Sequence, residues 1–349
     1  MPIVKVMAAM SGGVDSSVAA ALVRDAGHEV VGVTLKLWGG ESDTGCCSVS
    51  DVDDARRVAQ QLGIDHHVFN FGDDFTRHVV EPYVSDHAAG RTPNPCVECN
   101  RHLKFDRLLD RALALGFDAV ATGHHARIAT RADGSNRVAR GADPAKDQSY
   151  VLHMLDQDQL ARIVFPVGDR TKDDVRTLAD ELGLRTATKP DSQDVCFITT
   201  GAGRAGFLAE RIDLHPGTVV DGAGQTVGEV PAVELVTIGQ RRGLGVAGSG
   251  DRRFAVAVDV ARRRVTIGDE SDLLSATVAL DDLRWAAGPV AGPVEAQVSA
   301  HGRPSPGRVV GRELRWVEPR RRVAPGQSVV FYENDEVVGS AIAASPATS

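Results

Sequence analysis

Cysteine, aromatic rings, long apolar runs and an excess of positive charge are all in short supply in this chain, and each shortage removes a class of protein. Five cysteines among 349 residues, an odd number in so long a chain, do not make a disulfide-stapled secreted scaffold. They point to a reducing cytoplasm, where retained thiols bind metal or react. No apolar stretch nears the roughly 18 residues of a membrane span. The apolar start, MPIVKVMAAMSGG, lacks a basic leading stretch and runs straight into glycines, so it reads as a first strand and not as a signal peptide. Aromatic residues make up only 5% of the chain, within a 42% hydrophobic and 25% charged composition that is ordinary for a globular protein. A net charge of −8 excludes a simple polycation. Positive charge is local instead: seven arginines lie between Arg241 and Arg264, and seven more between Arg303 and Arg322. Such stretches suit either a solvated surface or a face turned toward nucleic acid.

The length predicts two or three domains. In the first half, strand-like and helix-like segments alternate: IVKVMAAM, then SSVAAALVRDAG, HEVVGVTLKLW, SDVDDARRVAQQLG and HHVFNF, and later HLKFDRLLDRALALG and FDAVATGHH. That alternation predicts right-handed crossovers onto a parallel sheet covered on both faces. From about residue 215 the texture turns to short β-branched runs between Gly, Asp-Gly and Asn-Asp turns, which predicts two small barrels. Boundaries are expected near 210 and, more softly, near 275. The expected class is α/β, a Rossmann-like domain over 1–210 followed by β-rich domains over 211–275 and 276–349.

Between the first strand and the first helix stands MSGGVDSS, Met10 to Ser17. At such a junction backbone N–H groups and the helix dipole form an anion site. Gly12 and Gly13 allow close approach, Ser11, Ser16 and Ser17 bring hydroxyls, and Asp15 can hold the loop or help place a metal. There is no GxxxxGK[ST], so the lysine that reaches β- and γ-phosphates in P-loop proteins is missing. The loop suits pyrophosphate better than removal of a γ-phosphate. GLGVAG, Gly243 to Gly248, fits GxGxxG but has no following helix, so it is not read as a dinucleotide site.

Cys96 and Cys99 lie in RTPNPCVECNRHLKF, and Cys196 lies in PDSQDVCFI. Cys99 is expected just ahead of a helix, where the positive helix end and nearby Arg101 and Lys104 would favour its thiolate. A structural zinc wants CxxC twice or CxxC with two close histidines; no second CxxC exists, and Cys46 and Cys47 are adjacent, which is poor geometry for chelation. Cys46 and Cys47 are read as structural.

SGGVDS, followed in order by TPNPCVECNRHLKF, ATGHHAR, KDQSYVL, DSQDVCF and TIGQRRGLGV, resembles the PP-loop ATP pyrophosphatases and, within them, the tRNA-specific 2-thiouridylase family. The resemblance spans the chain and implies a PP-loop, adenine nucleotide hydrolase-like domain followed by two β-rich domains. It implies that ATP, with Mg2+, adenylates O2 of the wobble uridine in tRNAs of the Lys, Glu and Gln type. It further implies that a cysteine desulfurase or relay protein places persulfide sulfur on Cys196, and that Cys99 resolves it. The ATP site implied is Ala9, Met10, Ser11, Gly12, Gly13, Val14, Asp15 and Ser16, with Leu35 and Gly123. The tRNA contacts implied are Asn94, Pro95, Cys96, His124, Lys146, Asp147, Gln148 and Gln327. Two departures stand out. Ser299 and Ala300 replace an Arg-Tyr-like contact of many relatives. Cys96 stands where many carry an acid/base aspartate, leaving three thiols, Cys96, Cys99 and Cys196, that suit a [4Fe–4S] cluster. Other readings are a different PP-loop ligase, which would not need the paired thiols, and an RNA-binding module with ATP as a mere ligand.

Overall fold

A computed structural model of the chain describes residues 3–38, 48–191, 195–198, 201, 203–246 and 252–345. The chain divides into two compact units: Met1–Val80, Pro95–Thr200 and Asp335–Val337 form the first, and Glu81–Asn94, Gly201–Asn334 and Val338–Ser349 the second.

The first unit is built on strands β1 (Lys5–Ala9), β2 (Glu29–Lys36), β3 (Asp65–Asn70), β4 (Ala119–Thr122) and β7 (Ile163–Val164), with a hairpin of β5 (Ala126–Thr130) and β6 (Asn136–Arg140) between the last two. The sheet runs β3-β2-β1-β4-β7, and all its pairings are parallel. The chain leaves β1 toward β2 and β3, then returns to β4 on the other flank of β1. That reversal makes the C-terminal ends of β1 and β4 the switch point at which open α/β sheets bind ligands.

Helix α1 (Val14–Asp25) buries Val14, Val18, Ala19, Ala20, Ala21 and Val23, so its apolar surface covers more than one stripe. Small side chains let it lie close against the sheet in a core shared with Val6, Ala8, Val58 and Val175. Helix α2 (Val49–Leu62) starts at Ser48, whose hydroxyl accepts from the Asp51 N–H, and stops at Gly63 in the left-handed region (φ +69°). The segment SDVDDARRVAQQLG picked out in the sequence ends at that glycine and begins at Ser50, two residues after the cap.

The segment after Asn94 is helical over 95–114: an α-turn at Pro95–Glu98, a π-helical stretch at Cys99–Arg107, and α again at Leu108–Ala114. The Leu108 N–H reaches back five residues to the Leu103 carbonyl. Cys99 is therefore not ahead of the helix, as expected, but one turn inside it. Pro95 explains the earlier start, since its fixed φ and missing N–H suit the first helical position. Cys96 occupies the N-terminal turn instead.

In the second unit, β8 (Gly217–Val220), β9 (Thr226–Val230), β10 (Phe254–Asp259) and β11 (Arg264–Gly268) form a four-stranded sheet in the order β10-β11-β8-β9. Strands β12 (Leu274–Trp285), β13 (Val294–Gln297), β14 (Ser305–Val310), β15 (Glu313–Arg321), β16 (Ser328–Glu333) and β17 (Glu336–Ala343) form an antiparallel barrel. Its order is β12-β15-β14-β13-β16-β17, and pairing of β12 with β17 closes it. Leu314, Val329, Phe331 and Val338 fill it. The expected class holds: a parallel-sheet α/β domain followed by β-rich ones, with one of the two expected barrels seen as a closed barrel and the other as a sheet.

Candidate active site

The loop between β1 and α1 is held from both sides. The Met10 N–H donates to the Val33 carbonyl at 2.8 Å, and Thr34 Oγ1 donates to the Met10 carbonyl at 2.7 Å. The Ser11 N–H donates to Ser16 Oγ at 3.1 Å, while Ser16 and Ser17 hydroxyls donate to the Gly13 carbonyl at 3.1 and 2.8 Å. Gly12 has φ +75°, and a Cβ there would stand 2.3 Å from the Asp51 carbonyl oxygen, so only glycine fits. At Gly123, after β4, a Cβ would stand 2.5 Å from the Ser16 nitrogen. Gly123 is expected in the ATP site, and its bareness also serves the packing of α1's first turn. Leu35 is buried in β2, so its side chain belongs to the fold.

Beneath this loop lies a network of charge that the sequence did not disclose. Lys172 Nζ donates to both oxygens of Asp15, at 2.8 and 2.7 Å, and lies 2.9 Å from Asp191. His125 Nε2 is 3.0 Å from Asp15. Asp191 also meets Lys146 and Arg176, each at 2.7 Å. Lys189 Nζ donates to the Gly12 carbonyl at 3.0 Å and to Asp51 and Asp54 at 2.6 and 2.7 Å. Burial opposes ionisation of Asp15, but the bonds from His125 and Lys172 outweigh it and hold its carboxyl below the usual range. Burial likewise opposes ionisation of Asp191, and Lys146 and Lys172 overcome it. Asp15 thus holds the loop through a lysine and a histidine. The missing P-loop lysine was the one available signal: a phosphate site without it needs cations from elsewhere, and Lys189 stands just before the quoted DSQDVCF.

Cys99 is buried at 9% exposure, and Cys96 and Cys196 are half-buried. All three belong to the first unit. Phe197 packs edge-on against Phe75 at 5.6 Å and beside Trp38 at 6.2 Å. The Gly72–Phe75 turn that carries Phe75 packs in turn on the Cys99–Arg107 stretch, with Arg107 paired to Asp74 at 3.2 Å. The segments carrying Cys99 and Cys196 therefore share one neighbour. Val195, just before Cys196, has φ +54°, a strained setting for a β-branched residue. Among the described residues no three His, Cys, Asp or Glu side chains gather into a group able to hold a metal.

The expected nucleic-acid contacts fall into two sets. His124 is buried, 8% exposed between Phe105 and Phe165, with Nδ1 2.7 Å from Thr122 Oγ1. Burial first, then Lys104 and His125, keep its imidazole neutral. Asp147 pairs with Arg140 at 2.8 Å and accepts from the Gly141 and Ser149 N–H groups. Gln148 accepts from the His125 N–H at 2.9 Å, and its own N–H donates to the His125 carbonyl at 2.9 Å. These two hold the histidine segment in place. Lys146 is 40% exposed beside Asp191. Pro95 is buried and Asn94 half-buried. In the second unit Gln327 Nε2 donates to the Thr92 carbonyl, so it braces the loop before Asn94. Cys46 and Cys47 lie outside the described residues, as do Ala247 and Gly248 of the GLGVAG stretch.

Three family models match along the chain: the tRNA methyl transferase HUP domain over 4–200, the tRNA methyl transferase PRC-barrel domain over 205–269, and the aminomethyltransferase beta-barrel domain over 276–343. The tRNA-specific 2-thiouridylase MnmA of Roseiflexus sp. (strain RS-1) is 46% identical over 366 residues, covering 96% of this chain and 98% of the relative. That of Mycobacteroides abscessus is 47% identical over 360 residues, covering 97% and 99%. That of Chloroflexus aurantiacus is 45% identical over 356 residues, covering 98% of each.

Proposed function

The chain belongs to the tRNA-specific 2-thiouridylase family, and from that premise we propose that it is an ATP-dependent tRNA sulfurtransferase that converts wobble uridine 34 to 2-thiouridine. The observation that carries the reading is the strand–SGGVDS–helix junction at the sheet's switch point, with Gly12 pressed on the Asp51 carbonyl and cations gathered beneath. Such a junction binds the phosphates of ATP through backbone N–H groups and the helix dipole. Attack of uridine O2 on the α-phosphate releases pyrophosphate and leaves O2 as part of a good leaving group.

A persulfide on Cys196 then attacks C2 through its terminal sulfur, and AMP departs with the oxygen. The Cys99 thiolate attacks the Cys196 sulfur, the carried sulfur stays on C2 as the thiocarbonyl, and a Cys99–Cys196 disulfide forms. Two thiols supply the electron pair that reduces the persulfide sulfur, so the step balances. Covalent carriage divides one hard exchange into two easier ones. The sulfur donor is a cysteine desulfurase or relay protein, and the setting is the cytoplasm; no described helix is long and apolar enough to cross a membrane. Division into a PP-loop domain over 1–210 and β-rich domains over 211–275 and 276–349, the last contacting tRNA, belongs to the same proposal.

Magnesium enters with ATP as its counter-ion, since Asp15, Asp51 and Asp54 are engaged by lysines. A [4Fe–4S] cluster does not fit the described residues, in which the three thiols form no metal-holding group, and no step passes through one. Mass spectrometry of tRNA nucleosides from cells with and without the protein tests the reading. Loss of 2-thiouridine only in its absence is the expected result; an unchanged 2-thiouridine level would contradict it.

A further inference from the structure

Residues 189–191, a few positions before Cys196, are pinned to the phosphate loop at two points. Lys189 reaches the Gly12 carbonyl, Asp51 and Asp54, and Lys172 joins the loop's Asp15 to Asp191. An ammonium has three protons, and each lysine has three oxygen contacts within 3.0 Å to use them. A phosphate oxygen that captures either ammonium must displace one of those acceptors.

The two lysines differ in what they leave behind. When Lys172 turns away, Asp191 keeps Lys146 and Arg176 and Asp15 keeps His125. No carboxylate is stranded, and stranding is what makes breaking a buried pair costly. Lys189 holds a loop carbonyl and also Asp51, whose other oxygen accepts from Ser48 at the head of α2. Lys189 is the fixed anchor and Lys172 the exchangeable one. Downstream, Val195 sits at φ +54° directly before Cys196, a strained backbone that persists only while its surroundings hold it.

We propose that Lys172 is a positioning residue that makes the placement of Cys196 depend on whether nucleotide phosphate occupies the loop. This rests on reading the loop as a nucleotide site. Phosphate arriving at the loop competes with Asp191 for the Lys172 ammonium, so the nucleotide binds better to the form in which the Lys172–Asp191 tie is open. A ligand shifts a two-state element only through such a difference. Opening the tie removes one of the holds on residues 189–191 and lets Val195 relax, which frees the Cys196 thiol to turn. The sulfur-carrying thiol is thereby presented only after ATP is in place.

The full-length chain is treated with iodoacetamide, without tRNA, in the presence or absence of adenosine 5′-(α,β-methylene)triphosphate. Alkylation of the Cys196 and Cys99 peptides is followed by mass spectrometry, and analogue binding by equilibrium dialysis. Bound analogue is expected to change the Cys196 rate upward by about 5-fold or more, with Cys99, inside its helix, nearly unaffected. Asp191→Asn and Lys172→Met are each expected to give the raised Cys196 rate with no analogue present. A wild-type Cys196 rate that bound analogue leaves unchanged overturns the inference while the nucleotide reading stands, and so does an Asp191→Asn protein that alkylates like wild type. Failure of the analogue to bind overturns the nucleotide reading and the inference together.

Discussion

Cys99 lies in a helix that runs over 95–114, with Leu103 and Leu108 fully buried and the Asn100 amide donating to the Val151 carbonyl at 3.0 Å. Cys196 lies in the described stretch 195–198, where Phe197 grips Phe75 and Trp38 and Val195 is held in the left-handed region. One thiol is fixed by packing along many residues; the other sits among the Phe197 contacts with Phe75 and Trp38, a strained residue and a set of ion pairs upstream. If the two must meet as nucleophile and resolving thiol, the motion falls to the Cys196 side, because a packed helix moves only at the cost of its core.

The largest effect that sharpens this contrast is on turnover. Cys99→Ser and Cys196→Ser are each expected to abolish 2-thiouridine formation in a reconstituted assay, with nucleosides counted by mass spectrometry. Cys96→Ser is expected to retain part of it, and complete loss there would revive a role for all three thiols together. Next comes packing. Leu103→Ala should cost about 2–5 kcal/mol of stability, read by denaturant unfolding, while the folded fraction keeps its thiolation rate. Phe197→Ala should instead raise Cys196 alkylation in the folded protein. Equal alkylation of Cys196 in both variants would break the distinction between the two settings.

Acid separates the ion-pair clasp from the rest of the molecule. His87, buried among Tyr83 and Arg204 in the second unit, has its pKa lowered from 6.5 to about 4, by burial first and then by Arg204. Its neutral form therefore stabilises fully above 6.5, and the contribution drains away as pH falls toward 4, about 2 kcal/mol by pH 5. Asp15 and Asp191 are shifted downward from 3.8, so what they contribute is complete above 3.8 and is lost only below it. Thermal melts should thus weaken between pH 7 and 5, His87→Gln should flatten that loss, and Cys196 alkylation per thiolate should not change over the range. The smallest effect is Val195→Gly, expected to stabilise by about 1 kcal/mol by relieving the left-handed backbone, with slower alkylation at Cys196 because the held conformation is no longer strained.

The same contrast governs what the sequence discloses. The phosphate loop was legible because a strand–glycine–helix junction is local: Gly12 and Ser16 act within a few residues of one another. The closed barrel was half-legible, since β-branched runs and turns announce strands but not which strand closes on which, and the β12–β17 pairing is long-range. The charge network was not legible, because Lys172 and Asp15 are 157 residues apart and Lys189 and Gly12 are 177 apart. The start of the Cys99 helix was missed because the π-helical stretch after Glu98 breaks the 3.6-residue spacing on which the expectation depended. Asp147 and Gln148 looked like surface contacts in sequence because nothing local shows that Arg140 and His125 engage them.

The most direct measurement is a single turnover of the full-length protein with substrate tRNA, ATP and a persulfide donor, quenched with an alkylating agent and mapped by peptide mass spectrometry. The account predicts a disulfide-linked pair of peptides containing Cys99 and Cys196, formed in step with 2-thiouridine. Thiolated tRNA produced while both cysteines remain open to alkylation would contradict it.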